Sequence, residues 1–455
     1  MTKCIIIGND ITCLATALLL RNSGLNLSLI LPSSDFKKNA LYEQPLDYGK
    51  SFLPESLSWL YEEAKPVLLP QLTRVFNNFD KYSFDITFSL LEMEELLGII
   101  DVKNTNGFYK YLAKRINILK ELNEKIKQNK SLKTDYFTSM DLNTHRFRNH
   151  EVMSYSILDG VFNHRFKSAW LSLPHLLSLS YCNLPGFSDI IALRAFMEGS
   201  FKFNKSLEEI AFNALKESDI EILENFNNMT IETNGTNGLK VNLGNENYIN
   251  AEKILINTHC YKKAIKFYRN EKEIKTSNIS RSKRLINISC LVKTRQEYTK
   301  LARHNLLLPL NIERYWREKK KEDNYNPPVY LGCPLQQSED VNNPRRNIIQ
   351  ISFPFKPADN SEQEKEMILK KVMRNIEREI LPDFLNNIET QEEIGWDRID
   401  YYKNISWNVL GDLFRKSPFS KDIYEINNSL LWSMGIDMKL YFSDKISEAI
   451  LKELV

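Results

Sequence analysis

Short apolar runs and longer amphipathic stretches divide the chain into readable elements. Residues 3–31 read KCIIIGNDITCLATALLLRNSGLNLSLIL. A β-branched apolar run, a polar interruption, a stretch at helical spacing, a break at Gly24 and a second apolar run predict strand, turn, helix and strand in that order. Residues 54–135 are rich in Leu, Glu and Lys at helical spacing, interrupted at Pro66 and Pro70, and predict a helical cap. From Phe196 the pattern changes. A helix is expected over 206–218, a strand over 220–223, and a hairpin turning at Asn237-Gly238 between MTIET and LKVNL. Gly244 marks the next turn, after which the apolar run from Ile254 to Asn257 is expected to rejoin the first sheet. Residues 262–325 read as charged and partly helical. VYLGC at 329–333 and NIIQISFPF at 347–355 suit strands, and SEQEKEMILKKVMRNIEREIL runs as an amphipathic helix into Pro382. SLLWSMGID at 429–437 predicts a strand and turn ahead of a last helix.

A chain of 455 residues exceeds what one core usually organises, so two interleaved or sequential domains are expected. Sixty-one Lys and Arg against 58 Asp and Glu leave a formal charge of +3, which offers no broad field to attract nucleic acid. Cys4, Cys13, Cys182, Cys260, Cys290 and Cys333 are scattered without a Cys-x-x-Cys pair. They suggest neither a zinc site nor a disulfide framework, and suit a reducing, cytoplasmic setting. Lys3 ahead of an apolar stretch imitates a signal peptide, but Asn9 and Asp10 interrupt it, so the segment is expected to be mature structure. No apolar run of about 18 residues predicts a membrane-spanning helix, and peripheral membrane contact stays open.

The turn between the first strand and helix is where chemistry would be sought. In a dinucleotide-binding turn the first glycine makes the bend, the second admits the pyrophosphate and the third lets the helix pack closely. Here the three positions are Gly8, Asp10 and Cys13. Asp10 would set a carboxylate beside two phosphate charges, at a helix start that otherwise favours anions. Cys13 is small enough to keep the packing. At the end of the second strand an acidic residue should hold the ribose, and Leu31 stands there instead. Residues 3–31 read either as an altered flavin site or as a Rossmann-like βαβ unit with no nucleotide.

Four stretches resemble the flavin-dependent amine oxidase and phytoene desaturase superfamily, with the desaturase, isomerase and saturase branch nearest. CIIIGNDITCLATALLLRNSGLNLSLIL keeps Gly8, Leu14, Ala17, Leu20 and Gly24 at that family's spacing. PLDYGKSFLPESL resembles, at Asp47, Tyr48 and Gly49, the segment after the family's flavin-contacting double-glycine turn. The double glycine and arginine themselves are missing from SSDFKKNALYEQP. FMEGSFKFNKSLEEIAFNALKESDIEILENFNNMTIET resembles the glycine turn, helix and strand leading into the second half of the nucleotide domain, with Glu198-Gly199 in place of Gly-Gly. In the tail, NVLGDLF resembles a desaturase loop, and Gly435-Ile436-Asp437 stands for a flavin-contacting Gly-Asp turn.

The resemblance implies an α/β fold, a Rossmann-like FAD/NAD(P)-binding domain with an interleaved substrate domain of mixed sheet plus helices. Residues 1–60, 196–260 and 406–455 would form the nucleotide domain, 61–195 a mainly helical substrate or cap region, and 261–405 the substrate domain. It implies FAD as cofactor, with Gly8, Asp10, Cys13, Leu31, Gly49, Gly435 and Asp437 at the cofactor positions. No catalytic residue is assigned.

Other constellations read more plainly. His259 follows the ILINT strand and suits a proton shuttle or a loop histidine. His145, His150 and His164 lack ligand spacing, so no metal site is expected. The aromatics of WDRIDYYKNISW, Trp396, Tyr401, Tyr402 and Trp407, suit a pocket wall or core packing, as does LSLPHLLSLSYCNLPGF at 171–187. The basic stretch from Gly107 to Lys130 reads as a solvated helix face. No Gly-x-Ser-x-Gly or Walker-type loop supports acyl or phosphoryl transfer. Two functions follow: an FAD-dependent oxidoreductase acting on a largely apolar small molecule, or a catalytically degenerate relative serving as a binding surface or partner subunit.

Overall fold

The computed structural model describes residues 4–31, 47–68, 71–77, 83–87, 124, 198, 200–224, 229–233, 238–244, 248–257, 265–269, 272–274, 284–308, 327–333, 346–355, 362–400, 414–417, 420–426 and 435–454. The expected opening unit is present as β1 (Cys4–Ile7), α1 (Ile11–Asn22) and β2 (Leu27–Leu31). β1 and β2 pair in parallel and every residue of both is buried. A continuous apolar run, rather than an alternating one, is what a parallel sheet covered on both faces requires.

From one edge that sheet runs Phe414–Ser417, Ser420–Ile426, Lys253–Asn257, β1, β2 and Glu221–Glu224. Its neighbours are parallel apart from the first pair, an antiparallel hairpin. One face carries α1, which lies between the helices Leu207–Lys216 and Gly435–Leu454 and is buried from Ile11 through Leu18. A helix buried on nearly all sides must be apolar all round, as ITCLATALLL is. The other face is covered by a five-stranded sheet in the order Tyr248–Ala251, Leu239–Asn242, Met229–Thr233, Ile265–Arg269, Lys272–Ile274. Ile5, Ile7, Ile30 and Ile254 of the first sheet share a core with Ile231, Val241 and Phe267 of the second.

A seven-stranded sheet builds the second domain, in the order Ile388–Asp400, Arg284–Thr294, Ile348–Phe355, Val329–Gly332, His304–Leu308, Gln71–Asn77, Ser83–Thr87. Helix Glu362–Glu379 lays Ile368, Val372 and Ile376 on Ile288, Val292, Ile349 and Ile351 of that sheet. A three-stranded sheet joins Asp47–Tyr48, Ser200–Phe203 and Pro66–Leu68. The protein is thus an α/β fold with a Rossmann-type parallel sheet and a second, mixed sheet.

Three expectations are corrected. Of the helical cap expected over 54–135, the described residues form a helical turn at Glu55–Leu57 and a short helix at Ser58–Glu63, but strands at Pro66–Leu68, Gln71–Asn77 and Ser83–Thr87; beyond Thr87 only the helical Glu124 is described. Gln71–Asn77 pairs in parallel with His304–Leu308, so a partner remote in sequence overrides local helical spacing. Residues expected to be partly helical over 262–325 form strands and, at 295–303, turns where described, and Arg284–Thr294 is held between two antiparallel neighbours. Gly435-Ile436-Asp437 is the first turn of the last helix rather than a turn ahead of it. Gly435 enters that turn at φ of +76°, and Asp437 stands in it where the helix dipole favours an acidic residue. His145, His150, His164, His259, residues 171–187, Tyr401, Tyr402, Trp407 and nearly all of 107–130 lie outside the described residues.

Candidate functional site

The C-terminal ends of the parallel strands bring Gly8, Asp10, Cys13 and Asn257 together. Gly8 follows β1, donates its backbone N–H to Ile30 O at 3.1 Å and has φ of +154°. A Cβ there would lie 2.6 Å from Cys13 Sγ and 3.0 Å from Asn257 Cβ. Glycine is therefore demanded by the close approach of α1 and the 253–257 strand. Its presence needs no ligand to explain it.

Asp10 is the N-cap of α1. Its backbone is extended, and Oδ1 accepts from Thr12 N at 2.9 Å and Cys13 N at 3.3 Å. Asp is among the best capping residues because its oxygen satisfies amides that lack a partner in the helix. The other oxygen, Oδ2, accepts from Asn257 Nδ2, and Asn257 is itself buried at the end of its strand. A negative side chain thus sits on the positive end of the helix dipole.

Two more carboxylates repeat the arrangement. Beyond Gly49, which is buried with φ of +90°, Glu198 Oε2 accepts from Lys50 N at 2.9 Å and Ser51 N at 3.4 Å. Asp437 is fully buried, and its Oδ2 accepts from Phe52 N at 3.0 Å while Oδ1 accepts from Met438 N at 2.8 Å. The Phe52 ring meets Tyr441 edge-on at 6.0 Å, so the segment after Gly49 is seated on the start of the last helix. Ser443 of the same helix donates to Thr12 O at 3.1 Å, which ties that helix to the start of α1. Leu31 ends β2 with no exposed surface, opposite Glu224.

At the opposite ends of these strands lies an ion cluster. Lys253 Nζ is 2.8 Å from Asp422 and 2.9 Å from Glu453 of the last helix, and Tyr424 donates to Glu453. Burial works against the Lys253 charge, yet the hydrogen bonds it donates to Asp422 and Glu453, with their negative charge, outweigh burial and hold its pKa above the ordinary value. Burial, then the Glu453 contact, raises Tyr424. Burial pushes the Cys4 thiol up to about 12, against the pull of Lys253. Cys4 is therefore an inert thiol.

The seven-stranded sheet holds a further buried polar row. His304 Nδ1 is 2.9 Å from Tyr330 OH, Ser289 and Ser352 share a hydrogen bond of 2.8 Å, and Gln350 reaches Ser352 at 3.4 Å. Gly332 pairs with His304 across the ladder, and its missing side chain leaves room for the Tyr330 hydroxyl.

A pyrophosphate would need the amides at the start of α1, and Asp10 already takes them. A ribose would need an acceptor at the end of β2, and Leu31 offers none. The residues at these positions do not fit a dinucleotide. Sequence reasoning singled out Gly8, Asp10, Cys13, Gly49, Gly435 and Asp437, and noted Glu198, without finding what their side chains bond to. It missed Asn257, whose only signal is a polar residue closing the apolar run ILIN.

No family model matches the chain, and no curated protein matches it. Solved structures do. A putrescine oxidase variant from a redesign of cofactor binding superposes with a TM-score of 0.58 at 8% identity, over 99% of each chain. The chain has the fold of the flavin amine oxidases. Cyclohexylamine oxidase from Brevibacterium oxydans gives 0.55 at 11% identity, over 100% of this chain and 99% of that one. An oxidoreductase from Methanosarcina mazei gives 0.55 at 13%, over 98% and 100%. At such identities the likeness is one of fold.

Proposed function

We propose that the protein is a non-catalytic relative of the flavin oxidoreductases, which keeps their fold as a binding surface or as the partner of an active subunit and holds no FAD. The Asp10 carboxylate carries this reading, because it accepts from Thr12 N and Cys13 N at the start of α1. A bound pyrophosphate would compete for those amides against a side chain already in place. Two unit charges about 4 Å apart near a protein surface repel by about 4 kcal/mol, on the order of a thousandfold in affinity. The buried Leu31 supports the same reading. The buried thiols of Cys4, Cys13, Cys290 and Cys333 suit a reducing compartment such as the cytoplasm.

Visible absorbance tests the proposal. Purified protein is expected to be colourless, and to stay so after incubation with excess FAD and gel filtration. A flavin spectrum that travels with the protein overturns the reading, and returns the chain to the FAD-dependent oxidoreductases acting on an apolar small molecule.

A further inference from the structure

We infer that Asp10, Glu198 and Asp437 act together as an internal substitute for a nucleotide, filling from within the chain the backbone amides that a bound anion would otherwise fill. The inference rests on the nucleotide-free reading above, and adds to it the residues that hold the site closed. Five amides are involved: Thr12 and Cys13 on Asp10, Lys50 and Ser51 on Glu198, and Phe52 on Asp437.

The carboxylates differ from ordinary helix caps in how far they reach. Glu198 is remote in sequence from both amides it holds, and Asp437, which takes its neighbour Met438 N with one oxygen, reaches the remote Phe52 N with the other, so between them they take three consecutive N–H groups after Gly49. Asp10 caps locally with one oxygen and binds Asn257, 247 residues away, with the other. Asp10 thus joins the start of α1 to the end of the 253–257 strand, Asp437 joins the Gly49 segment to the first turn of the last helix, and the Ser443 hydroxyl on Thr12 O ties the two pairs together. A site waiting for an anionic ligand leaves such amides to solvent and keeps fixed negative charge away from them. Hydrogen bonds to a carboxylate are about twice as strong as neutral ones, so the set orders these segments with no ligand present.

Hydrogen exchange read by mass spectrometry on the full-length protein tests this. Without nucleotide, peptides covering Thr12–Cys13 and Lys50–Phe52 are expected to exchange at least about tenfold more slowly than an unstructured chain, and excess FAD or ADP changes neither. Asp10→Ala is expected to speed exchange at Thr12 and Cys13, Glu198→Ala at Lys50 and Ser51, and Asp437→Ala at Phe52. Asp437 is buried, and its alanine variant risks unfolding. Glu198 is half-buried, so Glu198→Ala carries the test in a folded protein. Wild-type amides that exchange as freely as an unstructured chain, or a Glu198→Ala protein with protection intact, overturn the inference while the protein stays colourless. Protection that appears only when FAD is added overturns the nucleotide-free reading itself.

Discussion

Carboxylates stand at both ends of the parallel sheet, held by different kinds of partner. At the C-terminal ends of the strands Asp10 is held by backbone amides and by Asn257. At the N-terminal ends Asp422 and Glu453 are held by Lys253. A lysine is a side chain chosen together with its partners, so the lower cluster is complete in itself and clamps the last helix to the sheet. Amides at a helix start are fixed by the backbone whatever side chains surround them, and they attract an anion from some source. The upper end can therefore be met by an external anion or an internal one, and Asp10 supplies an internal one.

The comparison can be broken most severely at Gly8. Gly8→Ala drives a Cβ into Cys13 Sγ and Asn257 at a backbone angle that side chains rarely adopt, and is expected to cost about 2–4 kcal/mol in urea unfolding. Adding Cys13→Ala should restore part of that loss. If it restores none, the clash lies with Asn257.

Asp10→Ala is next, at about 1–2 kcal/mol, because it strips the cap from α1 and leaves the Asn257 amide short of a partner. Asp10→Asn keeps an acceptor for Thr12 N and Cys13 N and should recover most of this. An Asn variant as unstable as the Ala variant would show that the charge, rather than the cap, does the holding.

Lys253→Met at the other end is expected to cost about 1 kcal/mol, since Asp422 and Glu453 are 31% and 34% exposed and water screens what remains. The smallest effect is in its pH dependence. The folded-state pKa of Lys253 is raised above 10.5, so the folded protein holds this proton more tightly than the unfolded chain. Its contribution is complete below 10.5 and fades as pH rises through the folded value. The stability gap between wild type and Lys253→Met should thus be flat near neutrality and narrow above 10.5. The gap for Asp10→Ala should not narrow there, because backbone amides and Asn257 do not titrate.

Local pattern was enough for much of the fold. The opening βαβ unit, the hairpin closed by Gly238 at φ of +79°, the strand Ile348–Phe355 and the helix Glu362–Glu379 all follow from runs and periods within a few residues. The strands Gln71–Asn77 and Arg284–Thr294 did not follow, since one partner of the first, His304–Leu308, and both partners of the second lie far along the chain. Asp10 was legible by a rule that was not applied to it. An Asp directly ahead of an apolar helix is a capping signal before it is an electrostatic misfit.

The sequence by itself determined that β1, α1 and β2 form, because burial of continuous apolar runs and a capped apolar helix are decided by neighbours in the chain. Only the tertiary structure decided what surrounds the turn between them. Glu198 and Asp437 reach amides 147 to 385 residues away, Asn257 reaches the side chain of Asp10 itself, and no local period encodes such a meeting. The cap on α1 is local, but what holds Asp10 from its other side and what fills the amides after Gly49 depend on those distant side chains, which is why the fold could be read from the chain and the surroundings of its site could not.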